Sequence, residues 1–150
     1  MGCGSTWLVI GALAIALGAC NDDNNHEVTE DEYLGALAAI CTSTSEELDS
    51  LPEPPEQISI ANFATEASNT LTREAERVRR LDPPDNLADD HRAFIHNTDD
   101  QAAAWNELGS LLPADGDALE SLVTNIGQLT LGRNDLALEM GAPACQRSPG

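Results

Sequence analysis

His91 stands on what reads as the apolar stripe of a helix, flanked by Asp89 and Asp90. An imidazole beside a carboxylate is the minimum for a proton carrier or a metal ligand. Against that stands the commoner fate of a core histidine, a hydrogen bond to a carbonyl or hydroxyl, with Thr44 as a partner of suitable type. His96, Asp99 and Asp100 share a helical face at three- and four-residue spacing, where a divalent cation would find oxygen and nitrogen donors; a solvated acidic face is the preferred reading. His91 and His96 lie five apart, about 140° around a helix, and cannot jointly hold a metal without strain. No Glu-x-x-His, Cys-x-x-Cys-His or His-Glu-x-x-His motif is present, which leaves no zinc, haem or di-iron signature. Arg73, Arg77 and Arg80, with Arg79 beside them, are the only basic concentration in the chain. They read as an anion or partner-docking stripe, or as surface pairs with Glu74 and Glu76. Serines lack a His-Asp context, and no Gly-rich loop follows a strand. The expectation is no catalytic residue, no cofactor and no metal.

The cysteines carry clearer chemistry. Trp7 to Ala19 is an uncharged, apolar run, shorter than the roughly 20 residues needed to span a bilayer. The run suits the apolar core of a secretory signal, usually about 7–15 residues. Leu17-Gly18-Ala19-Cys20 closes it and resembles the lipobox of bacterial lipoproteins. The resemblance implies a signal peptide over 1–19, removed before a Cys20 that carries lipid, and a protein anchored in the cell membrane or outer membrane, facing out of the cytoplasm. A rival reading is myristoylation at Met1-Gly2-Cys3-Gly4-Ser5-Thr6 with palmitate on Cys3; it leaves the apolar run unexplained. Cys41 and Cys145 remain, and an even pair in an oxidising compartment reads as a disulfide; two buried free thiols are the alternative.

Composition narrows the partners. The chain has 26 acidic residues against seven basic ones, all Arg, and a net charge of −19. Nucleic acid demands a basic footprint, which is missing. An anionic membrane is disfavoured as a broad docking surface too, so lipid on Cys20 would do the anchoring alone. What remains as partner is an unidentified protein or small molecule.

These residues need elements to position them. Residues 20–28, after the leader, are polar and acidic, a flexible tether. Thr29 with Glu32 forms a capping box. Tyr33, Leu34, Leu37, Ile40, Cys41, Leu48 and Leu51 follow at helical spacing, with Thr44 on the same stripe. Pro52, Pro54 and Pro55 stop this helix. Ile60, Phe63, Ala67, Leu71, Ala75, Val78 and Leu81 mark a second, ended by Pro83-Pro84. Leu87, His91, Phe94, Ile95, Thr98, Ala102, Trp105, Leu108 and Leu112 mark a third, ended by Pro113. After the capping cluster Asp115-Gly116-Asp117, a fourth carries Leu119, Leu122, Val123, Ile126, Leu129, Leu136 and Met140, with Gly141 as its left-handed close. Four amphipathic segments on short proline turns predict an all-α, antiparallel four-helix bundle, up-down-up-down, over residues 29–145, with 146–150 a disordered tail. To reach Cys41, the segment Gly141–Cys145 must double back along the first helix, or the first and fourth helices must be offset.

The whole is similar to a group of small bacterial lipoproteins of unknown function. They share an early Cys on an apolar helix, Pro-Pro turns, a Leu-x-x-x-His-x-x-Phe run (here Leu87 to Phe94) and a Cys after a terminal Gly (here Gly141 and Cys145). The resemblance brings no activity. The function expected is a non-enzymatic, membrane-anchored lipoprotein that binds a partner or serves the envelope structurally. The alternative is a small-ligand or metal carrier using the bundle interior around His91 and Trp105.

Overall fold

The computed structural model describes residues 28–52, 57–111 and 116–148, with the backbone alone at 57–59. The leader, Cys20, most of the expected tether, and the turn prolines 54, 55 and 113 lie outside the described residues. Four helices account for most of the rest: α1 (Glu30–Asp49), α2 (Gln57–Val78), α3 (Ala88–Leu111) and α4 (Asp117–Glu139). Two single 3-10 turns, Asp85–Leu87 and Pro143–Cys145, complete the fold, and no strand occurs among the described residues. The all-α bundle is the expected one.

Local chemistry sets the helix ends. Thr29 caps α1 reciprocally: the Glu32 amide donates to its hydroxyl at 3.3 Å, and its own amide donates to the Glu32 carboxylate at 3.0 Å. Glu30, Asp31 and Glu32 in the first turn also favour the positive end of the helix dipole. α4 starts from within the expected capping cluster. Gly116, at φ 89°, is the N-cap and gives no side-chain hydrogen bond. Its end is as expected, because Gly141 takes φ 74°. That turn lets the Ala142 amide donate back to the Ala137 carbonyl at 2.7 Å and the Gly141 amide to Leu138 at 3.0 Å, satisfying two of the helix's final acceptors.

Neighbouring helices pair in opposite senses. Along α1 and α2, Thr44 meets Arg77 while Glu47 meets Arg73. Between α2 and α3, the Ser68 hydroxyl donates to the Ala102 carbonyl at 2.7 Å, and further on Arg79 pairs with Asp99. α2 and α3 approach closely at Gly109, where a Cβ would lie 3.1 Å from the Ala61 carbonyl oxygen. No Cα of α1 comes within 8 Å of one in α4. The chain itself fills that gap: after Gly141 it doubles back, and the Pro143–Cys145 turn packs on both helices. The core divides accordingly. One cluster gathers Tyr33, Leu37, Cys41, Val78, Phe94, Ala137, Met140 and Cys145; the other gathers Ala64, Ala104, Leu108, Leu122 and Ile126. Val28, expected in the tether, packs against the first cluster. Val123, expected on the buried stripe of α4, is 54% exposed, since it follows Leu122 by one residue and points about 100° away.

Candidate functional site

The first cluster is built around ionised groups. Cys41 and Cys145 are joined by a disulfide, as expected, with Cα atoms 4.9 Å apart. Beside it lies Arg133, fully buried on α4. Its Nη2 donates to Glu74 of α2 at 2.8 Å, its Nη1 to the Thr98 hydroxyl at 2.8 Å, and its Nε to the Cys145 carbonyl at 3.1 Å. The guanidinium carbon sits 4.3 Å from the Phe94 ring centroid, a cation–π contact. Burial pushes the Arg133 pKa down to about 10, opposed by the Glu74 carboxylate and reinforced by Arg147, so it stays a cation at neutral pH. The second carboxylate oxygen of Glu74 accepts from Arg147 Nη2 at 2.8 Å. Glu74, itself fully buried, is thus clamped between two arginines.

Sequence reading missed this cluster. Glu74 was assigned to surface pairing with the α2 arginines, and residues 146–150 to a disordered tail. Instead Gln146–Ser148 are placed against the bundle. The backbone of Arg147 exchanges two hydrogen bonds of 2.7 Å with the Asn134 amide, and its side chain reaches Glu74. The physical reason is charge: a buried Glu74 beside Arg133 lowers the cost of enclosing a second guanidinium, and the disulfide brings it there. A signal was available. Glu74 falls between Leu71, Ala75 and Val78 on the buried stripe of α2, and Arg133 lies seven residues after Ile126 and four before Ala137. Opposite charges on the inner stripes of two helices announce a buried pair.

His91 lies in the same end of the molecule. Its Nδ1 is 2.9 Å from the Tyr33 hydroxyl, so the partner is Tyr33 and not Thr44. Thr44 bonds to the Ile40 carbonyl and to Arg77. Burial, and then the charge of Arg92, pulls the His91 pKa below its ordinary value. Burial also lifts the Tyr33 phenol to about 12, with Asp90 adding to the shift. A neutral imidazole locked to a neutral phenol is a structural arrangement.

Of the surface candidates, Arg73, Arg77, Arg79, His96, Asp99 and Asp100 are drawn into ion pairs. Arg73 and Arg77 reach Glu47 of α1 at 2.9 and 3.4 Å, and the Arg73 hydrogen bond is the main reason the Glu47 carboxyl is held below its usual range. His96 faces Asp100 at 2.8 Å, whereas Asp99 turns to Arg79 at 2.6 Å. The trio therefore does not converge, and among the described residues no cluster of three His, Cys, Asp or Glu is placed to hold a metal ion. No helix among them is long and apolar enough to cross a membrane.

Trp105 belongs elsewhere. At the second cluster the four helices leave a cavity of about 620 Å³, partly open to solvent. Phe63, Leu71, Trp105, Leu108 and Ile126 contribute its apolar wall, and both a carboxylate, Asp49, and a guanidinium, Arg147, line it beside Ser45, Gln101, Thr130, Gln146 and Ser148. Phe63 and Trp105 meet edge to face, centroids 5.7 Å apart. His91 does not line the cavity. The two residues expected to share an interior site thus lie apart, His91 bound into one core and Trp105 bordering an opening in the other. No known family model matches this chain, and no curated protein or solved structure does.

Proposed function

We propose that this chain is an exported, lipid-anchored binding protein whose helical domain holds a small, largely apolar molecule in the cavity beside Trp105. The observation that carries this reading is the cavity: about 620 Å³, walled by aromatic and aliphatic side chains and bordered by polar ones that include Asp49 and Arg147. Small-molecule sites are commonly about 300–1,000 Å³ with that kind of lining. The reading keeps the ligand-carrier alternative and drops His91 and any metal from it. The reading assigns the domain no catalytic step.

Native mass spectrometry of the purified, oxidised protein tests it, with a retained small molecule as the expected result. Trp105→Ala should abolish retention without unfolding the chain. An empty protein that also fails to take up any apolar probe would sink the reading. The anchor has its own test. Cys20→Ser should release the protein from membranes, and a variant that stays bound would refute the lipobox.

A second reading, docking of a protein partner, has one specific support. Leu131 and Leu138 on α4 are 46% and 57% exposed, and at seven residues apart they lie almost in line along the helix. Leu131→Asp should then abolish co-purification of the partner while leaving ligand retention intact.

A further inference from the structure

Donors and acceptors are not balanced where the cavity meets the buried core. Gln101 of α3 is 2% exposed and Thr130 of α4 8%, and both line the cavity. The Leu129 carbonyl orients the Gln101 amide through Asn97. It accepts from Asn97 Nδ2 at 3.1 Å, which turns Asn97 Oδ1 toward Gln101. Gln101 Nε2 donates to that oxygen at 2.6 Å, with a longer contact to the Leu129 carbonyl at 3.4 Å. The amide nitrogen is thereby spent, and the opposite atom, Oε1, accepts from no described residue. Unlike the unpartnered nitrogens of Arg77 and Arg147, Oε1 is not sealed from solvent, so the cavity is where it opens. Thr130 repeats the pattern: its hydroxyl hydrogen goes to the Ile126 carbonyl at 3.0 Å, leaving only lone pairs. The rest of the polar lining does not reverse this. Asp49 is a further acceptor, exposed and therefore hydrated. Arg147 gives Nη2 to Glu74, and its Nε and Nη1 are out of reach of any ligand. Ser45, Gln146 and Ser148 are partly or fully exposed and can give as well as take.

Resting on the assignment of that cavity as the binding site, we infer that its ligand is a neutral alcohol, an apolar body ending in a hydroxyl that donates to Gln101 Oε1. The apolar body packs on Phe63, Trp105, Leu108 and Ile126. An ether, ester or ketone of the same size brings acceptors only. It would strip water from Gln101 Oε1 and leave that oxygen without a donor, which is costly in a buried place. A carboxylate would set a negative charge against oxygens that have no hydrogen to give. An ammonium can donate, but it must exchange its hydration for a neutral amide, a poor trade for a full charge.

The experiment is calorimetric titration of the oxidised full chain with decanol, nonyl methyl ether and decylammonium. The first two are isomers of one formula, and only the alcohol has a hydrogen to donate. Decanol should bind about tenfold more tightly than the ether, the ratio expected from one buried hydrogen bond made or left unmade. Gln101→Leu keeps a similar bulk without an acceptor and should erase that preference. The comparison in the unaltered chain decides the matter even if the variant folds poorly. Equal affinities, or a preference for the ether, would overturn the alcohol inference while the cavity reading stands. So would a preference that survives in a folded Gln101→Leu chain. Decylammonium binding tenfold more tightly than decanol would also overturn it, handing selectivity to Asp49. Failure of all three probes to bind would overturn the inference and the cavity reading together.

Discussion

The two ends of this bundle solve the same packing problem in opposite ways. At one end, α1 and α4 stand too far apart to meet, and the chain folds back to occupy the gap. There the interior holds a disulfide, a buried Arg–Glu–Arg cluster and a Tyr–His hydrogen bond. At the other end no described residue fills the opening, and largely apolar walls face a cavity of about 620 Å³. Close-packed cores have few voids larger than a water molecule, so such a space is paid for by cohesion elsewhere. Directional bonds concentrated at one end free the other from having to close. The lesson is a division of labour within one small fold, cross-linking in one half and room in the other.

That comparison predicts a gradient of mutational cost, steepest at the cross-linked end. Reducing the disulfide opens a loop spanned by a sequence separation of 104 residues. The chain-entropy model puts the loss near 4–5 kcal/mol, readable as a fall in the urea midpoint on adding reductant. Glu74→Gln comes next. It strands two buried cations and should cost about 3–5 kcal/mol. Trp105→Ala at the open end should cost less than the roughly 3–5 kcal/mol typical of a closed core, because its side chain borders empty space. Equal losses for the two variants, measured by denaturant unfolding, would break the contrast.

His91 gives a smaller effect with a definite sign. Its folded-state pKa is lowered, so the unfolded chain binds the proton more readily. Stability should therefore be full at alkaline pH, begin to fall as pH drops toward the ordinary value of 6.5, and level off below the folded pKa. The slope of this single-proton effect cannot exceed about 1.4 kcal/mol per pH unit. His91→Gln should flatten the profile between pH 7.5 and 5.5; an unchanged profile would mean that another group titrates. The smallest effect should be a gain. Gly127 lies within α4 at the cavity, and a Cβ there would meet nothing within 4 Å. Gly127→Ala should stabilise by about 0.5–1 kcal/mol through backbone entropy, seen as a raised Tm.

Much of the cross-linked end was legible in the sequence. Thr29 with Glu32, Gly141, the proline stops and the Cys41–Cys145 pair are local signals, each acting through a few neighbouring residues or one covalent bond. Those signals and helix geometry narrow the path after Gly141 to a doubling back or an offset of the first and fourth helices, and the structure takes the first. The Arg133–Glu74 pair was readable but overlooked, because charged residues are by habit assigned to solvent. Arg147 was harder: nothing local marks Gln146–Ser148 as ordered, and its place depends on a carboxylate 73 residues away. The cavity was the least legible feature. Periodicity tells which face of a helix turns inward, and Phe63 and Trp105 were correctly placed on inner faces. It does not tell whether four inner faces meet, which depends on helix offsets and on what the returning segment fills.

The order of residues in the cluster has a consequence for how the chain can fold. Glu74 belongs to the second helix, whereas Arg133, Cys145 and Arg147 come from the fourth helix and the segment after it. A chain that emerges with its N-terminal side first therefore presents α1, α2 and α3 carrying a buried-type carboxylate without its cations and a thiol without its partner. Three helices alone cannot settle into the final core. Commitment to that core waits for the residues that follow, which bring the two cations and the second sulfur.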